Sequence, residues 1–483
     1  MIELKDVTYK YQGREEPSIK GLNLKIPQGQ VVVITGKSGS GKTTLTRLMN
    51  SLVPHYYEGQ LQGKVTVNGI DTATQPLWKL PFTVGSVLQD PRSQFFGLHV
   101  KDEVVFGAEN HAVPQADIQT RLSEVSEALE INHLLNHSLY QLSSGEKQRV
   151  ALSSVQMMSP NVYLFDEPSS NLDAEMAVFL TSFIGKLKKQ GATLIISEHR
   201  LHYLMGVMDR LVVLKQGEIV ADIPQIEVEE YLENEGKNQG LRQLAPKVAA
   251  YEAIDTTKLA PLVSVEKLVY QPKDSTFKLN IAELNGFPGE VIAIVGGNGA
   301  GKTTLARALA GFIKPKSGVV KMNGIKMNQR KRMQHSWFVA QDADYQLFSE
   351  SVAKELILGN EKQPNITEKA ALLLDKMGLT HLKMAHPMQL SGGEKQRLSI
   401  SVGLIRERDC LILDEPTSGL DGYHMEQMAD YLRTPLFKEK CIFIVTHDEA
   451  FIASCCTRVV RLKDGKIIED KPTVIGESIK EMM

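Results

Sequence analysis

The sequence is poor in the features that mark secreted, metal-stapled or membrane-spanning chains. Its 483 residues include only four cysteines, Cys410, Cys441, Cys455 and Cys456, and their spacing is typical of neither a zinc site nor a disulfide framework. No stretch approaches the ~18 apolar residues of a membrane span, and the N-terminus has no basic segment followed by an apolar one. We therefore expect a soluble chain in a reducing cytosol.

An excess of charge of one sign is also lacking. Lys and Arg number 55 and Asp and Glu 57, which leaves a formal net charge of -2. This balance argues against a generally basic nucleic-acid binder and against an acidic tail. Hydrophobic residues at 42% and charged residues at 23% are close to globular averages, so disordered and collagen-like classes are excluded and the chain can build cores.

The sequence does contain an internal repeat. Gly36-Lys-Ser-Gly-Ser-Gly-Lys-Thr-Thr44 recurs as Gly296-Gly-Asn-Gly-Ala-Gly-Lys-Thr-Thr304, and two further motifs recur in the same order. Self-similarity in a fixed order indicates a tandem duplication. The further motifs are Leu142-Ser-Ser-Gly-Glu-Lys-Gln-Arg149 with Leu390-Ser-Gly-Gly-Glu-Lys-Gln-Arg397, and Leu164-Phe-Asp-Glu-Pro-Ser169 with Ile412-Leu-Asp-Glu-Pro-Thr417.

The seam between the two copies is short and acidic. Residues 211–220 and 459–468 each predict a hairpin of two short strands, and residues 262–268 restart the alternating pattern of residues 1–7. The segment 227–235 predicts a short acidic helix followed by coil. We accordingly place a first domain at 1–222, a linker at 223–261 and a second domain at 262–483.

Each glycine-rich motif is predicted to lie between a buried strand and a helix. Residues 31–35 and 292–295 are apolar runs typical of parallel strands, and a helical pattern follows each motif. In that context the loop amides cradle phosphates, the lysine reaches the β- and γ-phosphates, and the next threonine binds Mg²⁺. The residues assigned to these two loops are Gly36, Ser38, Gly39, Gly41, Lys42, Thr43 and Thr44, and Gly296, Asn298, Gly299, Gly301, Lys302, Thr303 and Thr304.

Paired carboxylates supply a second element of the same nucleotide sites. Asp166-Glu167 and Asp414-Glu415 each end an apolar strand. Asp166 and Asp414 would hold the hydration shell of Mg²⁺, while the glutamates could polarise a water against the γ-phosphate. Solvated acids at a strand end are the alternative interpretation, which the neighbouring glycine loops disfavour.

With the Leu-Ser-x-Gly-Glu element before each Asp-Glu strand, the chain resembles an ABC ATPase over nearly its whole length. The resemblance implies an α/β fold with two tandem P-loop NTPase domains, each with a helical signature subdomain and an antiparallel β subdomain. It also implies ATP hydrolysis with Mg²⁺. In this family the signature of one domain completes the ATP site of the other, so the two halves are expected to pair with each other.

The resemblance also assigns roles to individual residues. Gln89 and Gln341 would contact Mg²⁺ and join the catalytic residues Glu167 and Glu415, with His199 and His447 as switch histidines at strand ends. Tyr11 would stack on the base of the first nucleotide, and Asn171-Leu-Asp173 and Gly419-Leu-Asp421 match the loop that crosses between sites. The first composite site would add Ser391, Gly392, Gly393 and Glu394 to Lys42, Thr43, Gln89, Asp166, Glu167 and His199. The second would add Ser143, Ser144, Gly145 and Glu146 to Lys302, Thr303, Gln341, Asp414, Glu415 and His447.

Two departures from the family pattern concern the second site. Ser144 replaces the first signature glycine and adds a side chain where backbone should approach phosphate closely. Pro272 occupies the position aligned with Tyr11, whereas Tyr270 would need a shift in register. The hypothesis is that ATP at the Lys302 loop is bound or hydrolysed less efficiently than ATP at the Lys42 loop.

The residues after each family glutamine indicate a partner. Gln89 and Gln341 are each followed by a second glutamine and by Phe96 or Phe348, a pattern that resembles the ATPases of energy-coupling factor importers. Exposed aromatics there would suit a groove for a partner helix, although Phe95, Phe96 and Phe348 could instead belong to the core.

The resemblance therefore implies the peripheral ATPase subunit of an importer on the cytoplasmic face of the cell membrane. A vitamin, metal ion or other small solute would pass through a separate transmembrane partner, with a substrate-binding membrane component. The alternative is a tandem ABC protein that acts on ribosomes or nucleic acid, against which the short acidic seam and the near-zero charge argue.

Overall fold

The chain is built from two compact units. The computed structural model describes residues 1–169, 173–246, 248, 254, 256–273 and 277–474. The first unit comprises residues 1–244 with 421–423, and the remaining described residues form the second unit. Asn171 and Leu172, which the resemblance places in a loop between sites, lie outside the described residues.

The first half of the chain alternates strands and helices. Its strands are β1 (Ile2–Tyr11), β2 (Ile19–Ile26), β3 (Val31–Gly36), β4 (Gly59–Val67), β5 (Ile70–Asp71), β6 (Val84–Val87), β7 (Val162–Asp166), β8 (Thr193–Ser197), β9 (Arg210–Lys215) and β10 (Glu218–Pro224). Its helices are α1 (Lys42–Met49), α2 (Leu52–His55), α3 (Val100–Asn110), α4 (Gln115–Ala128), α5 (Ser144–Gln156), α6 (Ala174–Lys189) and α7 (Val228–Tyr231). The last of these lies in the predicted acidic helix and continues as a π-helix at Leu232–Gly236.

The second half of the chain repeats this order. Its strands are β11 (Val263–Tyr270), β12 (Leu279–Gly286), β13 (Val291–Val295), β14 (Ser317–Met322), β15 (Ile325–Lys326), β16 (Ser336–Val339), β17 (Cys410–Asp414), β18 (Cys441–Val445), β19 (Arg458–Lys463) and β20 (Lys466–Pro472). Its helices are α8 (Lys302–Ala310), α9 (Gln329–His335), α10 (Val352–Ile357), α11 (Ile366–Lys376), α12 (Gly392–Ile405), α13 (Gly422–Leu432) and α14 (Glu449–Cys455).

Each unit combines a mostly parallel sheet with a small antiparallel sheet. The six-stranded sheets run in the order β10-β9-β3-β8-β7-β6 and β16-β17-β18-β13-β19-β20, and the four-stranded sheets run β2-β1-β4-β5 and β12-β11-β14-β15. Strands β10 and β20 are the antiparallel edges of the large sheets, as the predicted hairpins require. Together with the helical region of α3–α5 and α10–α12, this arrangement confirms the predicted fold class.

The central strand of each large sheet is buried on both faces, which explains its continuous apolar sequence. In β3, Val31 and Val33 face a core shared with the helical region, while Val32 and Ile34 face a core shared with the antiparallel sheet. Alternate residues of β13 divide in the same way. Ligands of open α/β sheets bind beyond the carboxyl ends of the strands, and each glycine loop begins there.

Candidate functional site

The two glycine loops approach neighbouring backbone so closely that larger residues could not replace key glycines. A Cβ on Gly36 would lie 2.2 Å from the carbonyl oxygen of Leu214, and one on Gly41 would lie 2.7 Å from that of Ser18. Gly296 makes the same approach, also 2.2 Å, to Leu462. Each loop then enters its helix at a lysine, and the first backbone N–H groups of a helix have no partner within the helix.

The loop lysines are held in position by the loops themselves. Lys42 Nζ donates to the carbonyl oxygens of Gly36 at 3.0 Å and Lys37 at 3.2 Å. Lys302 Nζ makes the matching bonds to Gly296 at 2.7 Å and Gly297 at 3.0 Å. Burial lowers the pKa of Lys42, and the charge of Glu167 opposes that shift. A lysine held beside free amides at a helix N-terminus suits a phosphate chain.

A hydroxyl and a carboxylate meet beside each loop in the way that a magnesium ion requires. Thr43 Oγ1 donates to Asp166 Oδ1 at 3.4 Å, and Thr303 Oγ1 donates to Asp414 Oδ1 at 3.3 Å. Burial raises the pKa of both aspartates, and the charge of Glu167 adds to the effect at Asp166. In the described part of the chain no group of three His, Cys, Asp or Glu side chains could hold a metal alone. The residues therefore fit Mg²⁺ shared with phosphate oxygens, because that ion usually takes few protein ligands.

In the first unit Glu167, the residue after Asp166, brings three predicted catalytic side chains together. Gln89 Nε2 donates to Glu167 Oε2 at 2.9 Å, and His199 Nε2 lies 3.3 Å from Glu167 Oε1. In the second unit His447 Nε2 lies 3.7 Å from Glu415 Oε1. Burial tends to raise the pKa of Glu167, but contact with His199 and the charge of Lys42 outweigh it and hold the pKa below its ordinary value. The carboxyl is therefore ionised at neutral pH and can orient a water molecule.

A cavity of about 450 Å³ lies over the first glycine loop, a size typical of small-molecule sites. Its lining includes four residues that the sequence did not indicate, namely Arg14, Ser18, Arg47 and Tyr57. The Arg47 guanidinium lies 4.0 Å from the centre of the Tyr57 ring and donates to Tyr11 Oη at 3.3 Å. The lining is Tyr11, Arg14, Ser18, Ser38, Gly39, Gly41, Lys42, Thr43, Thr44, Arg47, Tyr57 and Glu167. Aromatic rings at one end and phosphate-binding groups at the other fit ATP.

The register of the small sheets identifies the counterpart of Tyr11 in the second unit. Tyr270 pairs with Leu279 in the second unit as Tyr9 pairs with Ile19 in the first. Because the side chains of Ile19 and Leu279 both pack against the last loop glycine, the two strand pairs are in the same register. Pro272 therefore occupies the place of Tyr11, and Tyr270 the place of Tyr9.

The signature residues form helix N-termini. Ser143 and Glu146 make a capping box at the start of α5, with Ser143 N donating to Glu146 Oε2 at 2.8 Å, and Ser391 and Glu394 repeat it at α12. A Cβ on Gly145 would meet Met176 at 3.0 Å, whereas one on Gly392 would meet nothing within 4 Å. The latter position corresponds to Ser144, and in the second unit it leaves room for a side chain. Among the described residues, none of the signature positions lines the cavity of the first unit.

Comparison with known proteins gives a consistent family. The ABC transporter model matches residues 19–170 and 279–418. An ABC transporter ATP-binding protein of Treponema denticola is 38% identical and covers 100% of this chain and 99% of its own length. One from Enterococcus faecalis is 32% identical, with 98% and 91% covered.

Solved structures share the fold. The archaeal ribosome recycling factor aABCE1, solved with ribosomal stalk protein aP1, matches with a TM-score of 0.63 at 22% identity over 97% of this chain and 90% of its own. The RNase-L inhibitor matches with a TM-score of 0.60 at 22% identity and the same coverages. Identities this low establish the fold alone. Throughout the part of the chain that the structure describes, every helix is too short or too polar to cross a membrane.

Proposed function

Because this chain belongs to the ABC transporter family, whose members hydrolyse ATP, we propose that it is the ATP-binding motor of an importer. Hydrolysis would drive uptake of a vitamin, a metal ion or another small solute through a separate transmembrane partner. The chain would act at the cytoplasmic face of the membrane, with a substrate-binding membrane component alongside. The single observation that carries the proposal is an exposed aromatic residue beside the catalytic glutamine of each unit.

The aromatic residues are held outward by buried carboxylates. Phe96 is 75% exposed and Phe348 is 77% exposed, whereas Phe95 packs against the core. Buried Glu103 accepts hydrogen bonds from the backbone N–H groups of Phe96 at 2.8 Å and Gly97 at 2.6 Å. Burying a carboxylate is costly unless the carboxylate is hydrogen-bonded or paired. Glu103 makes its hydrogen bonds to this loop, and these bonds fix the loop with the Phe96 ring exposed.

The second unit repeats the device. Glu355, also buried, accepts from the backbone N–H groups of Phe348 at 2.8 Å and Ser349 at 2.7 Å. The second glutamine of each loop ties it to the preceding strand, since Gln94 accepts from Leu88 N and Gln346 from Ala340 N. Exposed rings on a braced loop suit an apolar partner helix.

A continuous path joins the reaction centre to this surface in the first unit. Gln89 bonds to Glu167 with its side chain and precedes the Phe96 loop by a few residues. A movement of Glu167 or Gln89 during hydrolysis would therefore reach the loop that carries Phe96. This direct connection supports a role for the loop in transmitting closure of the site to a partner.

At each site different groups of the chain would bind the phosphates, hold Mg²⁺ and orient the attacking water. The loop amides and the lysine would bind the phosphates, while Thr43 and Asp166, or Thr303 and Asp414, would hold Mg²⁺, which supplies charge neutralisation when bound. Glu167 accepts a hydrogen bond from the attacking water and holds it for in-line attack. His199 Nε2 is buried 3.3 Å from Glu167 Oε1, and we place it where it would contact a γ-phosphate oxygen bound beside that carboxylate.

The proposal includes the pairing of halves that the family resemblance implies. Each signature helix would act on the nucleotide held by the other half. The capping boxes support this, because Ser143 and Ser391 satisfy one amide each and leave the first amides of α5 and α12 available to an anion.

The import proposal is tested by removing the exposed rings. Phe96→Ala with Phe348→Ala should abolish copurification of membrane proteins from solubilised membranes and weaken binding by about 2 kcal/mol or more, as loss of an aromatic anchor usually does. Basal ATP hydrolysis should persist, because neither ring lines the nucleotide cavity of the first unit.

The matched control replaces exposed apolar residues elsewhere. Val178→Ala with Leu372→Ala removes side chains that are also largely exposed, and it should leave copurification intact. Cosedimentation of the wild-type protein with ribosomes and not with membranes would contradict the importer proposal and favour the ribosomal alternative.

A further inference from the structure

The segments that carry the two switch histidines differ in a correlated way. The first unit has Ser197-Glu198-His199-Arg200, and the second has Val445-Thr446-His447-Asp448. A carboxylate thus precedes the histidine in one unit and follows it in the other. We propose that Glu198 is a positioning residue of the first site, where it does the work that Asp448 does in the second.

Glu198 accepts four hydrogen bonds next to the switch histidine of the first unit. It is 2% exposed, and its Oε1 accepts from the backbone N–H groups of His199 at 2.6 Å and Arg200 at 3.0 Å. Its Oε2 accepts from Tyr203 Oη at 2.8 Å and from Ser169 N at 3.3 Å. One side chain therefore joins the histidine segment to the segment that follows Glu167.

Asp448 joins the same two segments in the second unit by different bonds. Thr417, which corresponds to Ser169, donates from Oγ1 to Asp448 Oδ2 at 2.6 Å. Asp448 N donates to Thr446 Oγ1 at 3.0 Å, and Asp448 Oδ1 accepts from Phe451 N at 3.2 Å. Both carboxylates are buried, and burying a charged group lowers stability unless the group is hydrogen-bonded. Each unit therefore keeps a buried carboxylate that links these two segments.

A third difference follows from the first two. The position of Tyr203 is occupied by Phe451 in the second unit. The Tyr203 hydroxyl serves Glu198, and burial raises its pKa well above the ordinary value, so it remains a donor. Phe451 needs no hydroxyl, because it serves Asp448 with its backbone N–H. The three positions thus carry one set of residues in the first unit and another in the second, and both sets connect the histidine segment to the segment after the catalytic glutamate.

The task is to hold the histidine against the catalytic glutamate. His199 Nε2 is 3.3 Å from Glu167 Oε1, and the Glu198 bonds fix the backbone on both sides of that contact. Lys42, which we propose binds phosphate, lies on a different element and is held by the carbonyl oxygens of Gly36 and Lys37, while Glu198 is one of several acidic groups whose charge reaches it. Loss of Glu198 should therefore affect the hydrolytic step much more than the affinity for nucleotide. The inference concerns ATP hydrolysis and holds whether or not the chain drives import.

Transplanting the set of the second unit into the first is the test. Glu198→Thr alone should lower kcat by roughly 10-fold to 100-fold, as displacement of a reacting group by about 1 Å does. KM and the affinity for a fluorescent ATP analogue should each change less than about threefold, which is less than the usual effect of losing one hydrogen bond to the nucleotide. The triple variant with Glu198→Thr, Arg200→Asp and Tyr203→Phe should restore most of kcat.

Hydrogen exchange of the nucleotide-free protein provides a readout that does not depend on activity. Glu198→Thr should speed exchange in peptides that contain Ser169 N and His199 N, and the triple variant should slow it again. Unchanged kcat in a folded Glu198→Thr variant, or a triple variant as slow as the single one, would overturn the proposal. Should Glu198→Thr fail to fold, Tyr203→Phe decides: a several-fold fall in kcat with intact nucleotide affinity supports the proposal, and an unchanged kcat rejects it.

Discussion

Glu167 and Glu415 carry their side chains on a backbone conformation that L-residues rarely adopt. Their φ angles are 47° and 48°, in the left-handed region, which costs of order 1–3 kcal/mol for a residue other than glycine. Their backbone N–H groups bond to Ser197 and Val445, the last residues of the neighbouring strands, at 2.9 and 2.8 Å. The same strain at the same place in both units indicates that it serves to turn each carboxylate toward its histidine.

At the residue scale the two sites differ enough to predict unequal activity. The first has Tyr11 and a 3.3 Å contact between Glu167 and His199, while the second has Pro272 and a 3.7 Å contact between Glu415 and His447. Glu167→Gln should therefore reduce the steady-state ATPase rate more than Glu415→Gln does. The two variants are matched in chemistry and burial, so equal losses would contradict the hypothesis of a weaker second site.

At the scale of elements, a helix residue sets the course of the loop before it. Glu103 lies in the first turn of α3, where its carboxylate also benefits from the free amides at the helix N-terminus. It reaches back to Phe96 N and Gly97 N and so fixes the exposed ring. Periodicity alone marks residue 103 only as a helix position, because the bond depends on how the loop returns to the helix.

Glu103→Ala should destabilise the fold and release the aromatic loop together. Two partly buried N–H groups would lose their charged acceptor, at a cost of up to about 1–3 kcal/mol each. Thermal unfolding should therefore shift to lower temperature, and copurification of membrane proteins should weaken. Glu109→Ala, an exposed acid on the same helix, is the control, and an equal shift from both variants would refute the role given to Glu103.

At the scale of the whole molecule, hydrophobic clusters follow the duplication. Two clusters draw their members from the first unit, and the other two draw theirs from the second. Leu180 in α6 and Leu374 in α11 lie in clusters of different units and are both buried. Each unit therefore has the apolar interior that a domain needs to fold.

Truncating a buried side chain should accordingly destabilise mainly the unit that contains it. Leu180→Ala should cost about 2–5 kcal/mol, and so should Leu374→Ala. Hydrogen exchange read peptide by peptide should show loss of protection in the first unit for the former and in the second unit for the latter. The same loss in both units from either variant would show that they unfold as one.

Local sequence patterns predict much of the fold and most of the motifs that form the site. Strand, glycine loop and helix adjoin in sequence, as do Asp166 and Glu167, so their chemistry is legible from spacing and duplication removes most ambiguity. The capping boxes at Ser143 and Ser391 are equally local. The sequence alone leaves the exposure of Phe96 open, because an aromatic residue near a helical region can face either the core or solvent.

Other features depend on contacts between residues far apart in the chain. Arg47 and Tyr57 join Tyr11 only because the end of β1 lies beside α1 and beside the chain that leads into β4. Pro272 is assigned to the place of Tyr11 by a strand register, which pairing across the sheet determines. Glu198 connects two loops because β7 and β8 are neighbours in the sheet and bring their carboxyl ends together. Composition, motifs and repeats are properties of the chain, whereas a buried carboxylate's partners are properties of packing.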